Sequence, residues 1–271
     1  MEEQKKGIRK HYIDNLRNLT ILLLFPVHTF MIWNDFGSRF YIWQGENKLL
    51  STLIVLVNPW FMPILFVLAG MSARYALEKR TNKEFVMQRV RKLFIPFISG
   101  MVFLVPFQTL YARKFFDNYE GSLLDNWKYF FTHLTDFSGY DGAFTPGHLW
   151  FILFLFFISM IALILFCLVP YEKTAVSVEK IPVLGVLVLL VAAKTFLNKR
   201  TGFTEYFNQA SYPIYILHQS ILVALAYYVV QISDVLFVQV FCICMGSFLL
   251  TVLAYHLIKL IPVVRKMIGI K

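Results

Sequence analysis

Charge is what this sequence has least of: Asp, Glu, Lys and Arg supply 15% of its 271 residues, against about 25% in a soluble domain. Together with 58% hydrophobic and 17% aromatic residues, that scarcity excludes an ordinary water-soluble domain and points to an integral membrane protein. Acid is scarcer than base, 16 residues against 26, for a net charge of +10. The excess does not describe a nucleic-acid surface. The basic residues flank apolar stretches, as the positive-inside rule requires, and no nucleic-acid partner is expected. Cysteine is nearly absent. Cys167, Cys242 and Cys244 all lie in apolar stretches and offer neither a disulfide framework nor a metal spacing. Cys242 and Cys244 diverge by about 200° on a helix, so no metal is expected. A small-x-small cleavage site is also missing. The basic amino-terminal stretch runs through apolar residues to Trp33, which reads as an uncleaved first span.

What is present is a set of long apolar runs. Residues 13–33, 49–71, 93–112, 149–170, 210–232 and 235–257 each suit a membrane crossing of about 20 residues. The expected fold is all-α: a polytopic transmembrane helix bundle, one domain over residues 1–271. A seventh run, 181–193, has thirteen apolar residues before Lys194, short for a span. Six full spans plus one short apolar segment are therefore expected, seven at most. Lys5, Lys6, Arg9, Lys10 and Arg17 fix the amino terminus in the cytoplasm, and Arg74, Lys79, Arg80, Lys83, Arg89, Arg91 and Lys92 mark the next cytoplasmic loop. The tail after residue 257 has four basic side chains and no acid. Both the tail and Lys199-Arg200 fall inside only if 181–196 fails to cross. Pro59 and Pro63 should kink the second span.

Ionisable groups inside these runs carry the functional signal. Arg17 and His28 are eleven residues apart, almost three helical turns, so they share a face, as does Asp14. His28 lies roughly 16 Å beyond Arg17, near the middle of a hydrocarbon core about 30 Å thick. An ionisable group there needs a partner or a wet cavity. His218, with Tyr215 on the same helix face, reaches a similar depth from the cytoplasmic side. Arg89, Arg91 and Lys92 either anchor the third span or form a phosphate-binding rim. The long outer loop, 113–147, interleaves ten aromatic residues with five acids; sugar binding and interfacial packing both fit it. It ends at His148 and Trp150, at the outer mouth of the fourth span.

Four stretches in order carry a likeness: Arg17-x10-His28, Arg89-Val-Arg91-Lys92-Leu-Phe-Ile-Pro96, Gly147-His148-Leu-Trp150-Phe and Ser211-Tyr-Pro-Ile-Tyr215-Ile-Leu-His218. Over residues 12–170 and 198–271 the chain resembles the membrane-bound acyltransferase-3 family, most closely the branch that includes glucan biosynthesis protein C. Its relatives carry more helices between the counterparts of Pro170 and Asn198, where about thirty residues stand here, a section apparently missing. The likeness implies an O-acyltransferase of a bacterial plasma (inner) membrane. It would move an acetyl- or succinyl-class group from cytoplasmic acyl-CoA to a sugar hydroxyl of an extracytoplasmic glycan or glucan. In that reading His28 is the base or transient acyl carrier, and Asp14 and Arg17, on the same face three turns below, complete the catalytic set by binding the CoA end. Arg89, Arg91 and Lys92 hold the donor's phosphates, His148 and Trp150 position the acceptor, and Tyr215 and His218 orient His28 or line the tunnel. A transporter or flippase, or a non-catalytic membrane partner, is the alternative.

Overall fold

The computed structural model describes residues 11–37, 40–77, 79–168 and 184–270. Pro170, Ile181, Lys271 and the basic residues before His11 lie outside that set. No strand occurs among the described residues, and six helical rods are long and apolar enough to cross a membrane. The first rod joins α1 (His11–Leu22), α2 (Leu24–Phe30) and a 3-10 turn to Trp33. Then come α3 (Lys48–Leu77) and a broken rod of α4 (Asn82–Arg89), a π-turn (Val90–Phe94), α5 (Ile95–Phe103) and α6 (Val105–Phe116). A short α7 (Leu123–Thr132) lies in the loop that follows. After it come α8 (Trp150–Leu168), α9 (Leu184–Phe196), α10 (Gly202–Ile232), α11 (Leu236–Lys259) and a last turn, α12 (Pro262–Met267).

α10 is the bundle's axis. Ser211 and every residue from Pro213 to Ser220 are buried, the pattern of a helix enclosed on all sides. It packs on α1, α2, α6 and α11. By contrast α8 exposes Phe154, Phe157, Ile158, Ile161, Ile164 and Leu165, an apolar flank suited to lipid. The prolines divide the rods unequally. α3 stays one helix through Pro59 and Pro63, whereas the first rod breaks at Leu23 just before Pro26. Each proline removes the N–H that normally serves the carbonyl four residues back, and lipid offers no substitute. Side chains supply it: Tyr212 Oη donates to Lys92 O ahead of Pro96. Trp127 Nε1 donates to Val102 O at 2.9 Å ahead of Pro106.

The two ends of the bundle differ. At one end Asn15 Nδ2 donates to the carbonyls of Leu197 and Lys199 at 2.6 and 2.9 Å, so α9 finishes beside the start of α1. At that same end α8 finishes beside the start of α4, where Asn82 Nδ2 meets Cys167 Sγ at 3.3 Å. The chain therefore makes no net crossing between Leu168 and Asn198. α9, thirteen residues, is about 20 Å long and too short for a core of about 30 Å. The opposite end is closed by the 113–147 loop. There Arg113 lies between the rings of Tyr119 and Tyr129, 3.8 and 4.3 Å from their centroids, and donates to Asn126 Oδ1 at 3.2 Å. Gly142, at φ +90°, lets the loop pass: a Cβ there would lie 2.1 Å from Arg113 Cδ.

Candidate functional site

Three histidines from separate segments meet inside the bundle. Pro26 breaks the first rod and sets His28 on α2. Gly147, at φ +50°, turns the chain into the 3-10 turn Gly147–Leu149 and directs His148 inward, where it is buried. α10 carries His218, which is fully buried. His28 Nδ1 and His218 Nε2 are 3.0 Å apart, and the rings stack at 5.1 Å and 16°. Phe40, from the loop after the first rod, lies near-parallel to His28 on a 6.3 Å centroid spacing. The His148 ring stands edge-on to His218 at 5.2 Å.

Their hydrogen-bond partners decide the tautomers. His218 Nδ1 faces the Tyr215 carbonyl at 2.6 Å. A carbonyl only accepts, so that nitrogen carries the proton and His218 Nε2 is a lone pair. His28 Nδ1 must then be the donor across the 3.0 Å contact, which leaves the lone pair of His28 on Nε2. No side-chain or backbone group occupies that atom among the described residues. His148 is engaged differently. Its Nε2 donates to Ile216 O at 2.9 Å and its Nδ1 accepts from Gln108 Nε2 at 3.1 Å. The second Gln108 N–H goes to Ser220 Oγ at 2.8 Å. Both nitrogens of His148 are thus committed within the protein.

A cavity of about 1090 Å³ opens at the basic end. His11, Arg17, Arg89, Lys92, Arg200 and Lys259 line its mouth, and Ile21, Leu65, Phe151, Ile152 and Tyr215 its deep end. Asp14 holds Arg17 through a 2.8 Å salt bridge. Arg89 rests over the Phe85 ring at 4.6 Å, and its buried Nε has no partner. Tyr215 joins cavity and cluster: its ring lines the cavity, its hydroxyl donates to His148 O, and its centroid is 5.8 Å from that of His218.

The structure thus brings His28, His148, Tyr215 and His218 into one cluster, and Arg17, Asp14, Arg89 and Lys92 into a second region at the cavity mouth. Arg91 is exposed and does not line the cavity. Trp150 packs on Phe66, Phe151 and Phe154 at the flank of the bundle. Sequence reasoning gave no role to Phe40 or Ser220, left Gln108 unassigned, and read Arg200 and Lys259 only as topology markers. An amide inside an apolar run was the one available signal for Gln108. Among the described residues no group of three or more His, Cys, Asp and Glu is placed to hold a metal ion.

In comparisons with known proteins, the sequence profile of an acyltransferase domain, that of the acyltransferase-3 family, matches residues 10–178. No curated protein and no solved structure matches the chain.

Proposed function

Because this chain belongs to the acyltransferase-3 family, we propose that it is a membrane O-acyltransferase that takes an acyl group from acyl-CoA at the basic end of the bundle. The acceptor is a carbohydrate hydroxyl at the opposite face, of the glucan class that the sequence likeness suggests. The basic end faces the cytoplasm of a bacterial plasma membrane, where acyl-CoA is made. What carries the reading is the free Nε2 of His28, held in one tautomer by His218 in a chain of acyltransferase-3 type. A thioester reacts with a hydroxyl when a base removes the hydroxyl proton during attack. A base whose second nitrogen is pinned by another group is already oriented for that task.

The reaction balances without a further reactant. His28 Nε2 takes the acceptor's proton as its oxygen attacks the thioester carbon. The C–O bond forms, the C–S bond breaks, and the proton passes to the departing thiolate to give free CoA. While His28 carries both protons, its Nδ1–H remains bonded to His218 Nε2, which shares the positive charge. The cationic mouth meets the phosphates of the donor. Arg17, Arg89, Lys92 and Lys259 offer forked or point-charge donors to them, and Asp14 fixes the angle of Arg17. The lipid bilayer is the protein's other partner.

The test is release of free CoA from acetyl-CoA by protein purified in detergent, with and without a soluble β-glucan oligosaccharide. We expect acceptor-stimulated release, and a loss of about 10²- to 10⁴-fold in His28→Ala. Equal release by wild type and His28→Ala would overturn the assignment.

A further inference from the structure

α7 is divided lengthwise into three sectors. Asn126 and Phe130 are buried. Asn126 Nδ2 donates to Pro106 O at 3.0 Å and to Thr109 Oγ1 at 3.2 Å, so this sector seats the helix on α6. Leu124, Trp127 and Phe131, at i, i+3 and i+7, share a second face, and all of them are exposed. Leu134 and Phe137, in the turn after α7, extend that face. Leu124 is 77% exposed and Leu134 70%. Phe137 is held at φ +63°, where an aromatic residue is rarely found, and it too is exposed. The third sector is polar: Asp125, Lys128 and Thr132 are exposed on the remaining side.

A helix with one side on protein, one apolar and one charged fits the boundary between lipid and water. Trp127 Nε1 donates to Val102 O at 2.9 Å, and beside Val102 the third rod exposes Phe103 and Phe107. The apolar sector therefore continues the lipid-facing flank of α5 and α6. A carbohydrate is poorly matched to it. Its one side-chain hydrogen-bond donor, the Trp127 indole, is already committed to Val102 O, and Leu124 and Leu134 are aliphatic. We infer that α7 and the turn after it lie on the lipid leaflet at the end of the bundle opposite the cationic mouth. The apolar sector sits about 5–10 Å into the boundary between headgroups and acyl chains, and the polar sector stands in water. The α6 turn beneath α7 carries Gln108, the partner of His148, so the water boundary on this flank is close to the level of the histidine cluster. On the transferase reading above, a hydroxylic acceptor then meets the histidines from water at nearly their own depth.

The test uses the full chain in phospholipid nanodiscs. Spin labels are placed one at a time at Leu124→Cys, Phe131→Cys and Leu134→Cys, and at Lys128→Cys and Thr132→Cys, with Cys167, Cys242 and Cys244 replaced by serine. Collisions with oxygen, which concentrates in lipid, are compared with collisions with a water-soluble nickel chelate. We expect the oxygen-to-nickel ratio to exceed one at Leu124, Phe131 and Leu134, and to fall below one at Lys128 and Thr132. In the unmodified protein, a phospholipid with a photoactivatable diazirine at the glycerol end of its acyl chain should cross-link within residues 124–137; this decides the matter where a labelled variant does not fold. A ratio below one at Leu124, Phe131 and Leu134, or no cross-link, overturns the inference and leaves the face open to a carbohydrate. Shielding from both agents, with dipolar broadening between labels, also overturns it and marks a contact between two copies. Neither measurement uses acyl-CoA, so failure here leaves the transferase reading standing, and failure of acyl transfer leaves the lipid contact standing.

Discussion

At the scale of single residues, the histidine cluster is decided by which atoms can only accept. The Tyr215 carbonyl fixes the His218 proton, and His218 in turn fixes that of His28. His218→Ala removes the second step while leaving His28 in place. We expect kcat to fall about 10²-fold, with KM for the donor changed less than about twofold, since His218 does not line the cavity; a KM effect with kcat preserved would refute the positioning role. Arg89 and Arg91 give the opposite contrast. Arg89→Ala should raise KM for acyl-CoA about tenfold, equivalent to roughly 1.4 kcal/mol. Arg91→Ala should leave it unchanged within about twofold, because Arg91 points away from the cavity. Salt titration of donor binding should mimic the first variant, as exposed charges are screened over about 8–10 Å. The sequence shows His28 and His218 as ionisable groups at membrane depth. Their contact depends on how α2 and α10 pack, which no spacing within either segment contains. His148 looked outward for a similar reason: its neighbours place it at a helix start, but only the turn at Gly147 shows which way the ring goes.

At the scale of elements, apolar length was a sound guide to how many helices cross and a poor one to where they end. α10 begins at Gly202, eight residues before its apolar run, because helix propagation continues through polar residues once its core is anchored. The same holds for α4, capped by Thr81 and Glu84 ahead of the third apolar run. α7 was legible and passed over: Ser122-Leu-Leu-Asp125 is a capping box. Its pH response follows. The Ser122 hydroxyl and then its backbone N–H hold the Asp125 carboxyl below its ordinary value. A carboxyl lowered in this way supports the helix while ionised, and the support is lost as pH falls through the lowered value. Amide protection over residues 122–126 should therefore be constant around neutral pH and decline in acid, below the usual aspartate range near 4. Asp125→Asn should abolish that dependence. The indole that mends the break before Pro106 has its own test. Trp127→Phe keeps the ring but loses the bond to Val102 O and should destabilise the protein by about 1 kcal/mol, read as an earlier thermal transition in detergent.

At the scale of the whole molecule, the distribution of charge decides the topology. Arg17, Arg89, Lys92, Arg200 and Lys259 come from four separate segments and line one cavity mouth. The ends of α8 and α9 also lie at that end of the bundle, so the six crossings close the count with the region around Arg200 and the α12 turn on the side where α1 begins. A fully crossing α9 would have carried Arg200 to the far end, away from Asn15 and from the cavity. Aspartates of the 113–147 loop belong to the other face. Single cysteines at Arg200→Cys, Lys266→Cys and Asp136→Cys, in a background with Cys167, Cys242 and Cys244 replaced by serine, test this in intact cells. We expect an impermeant maleimide to label only Asp136→Cys, and to reach Arg200→Cys and Lys266→Cys after permeabilisation. If Arg200→Cys is instead labelled together with Asp136→Cys, α9 crosses the membrane. The cationic mouth is then divided between the two faces, and acyl-CoA has no single site to occupy.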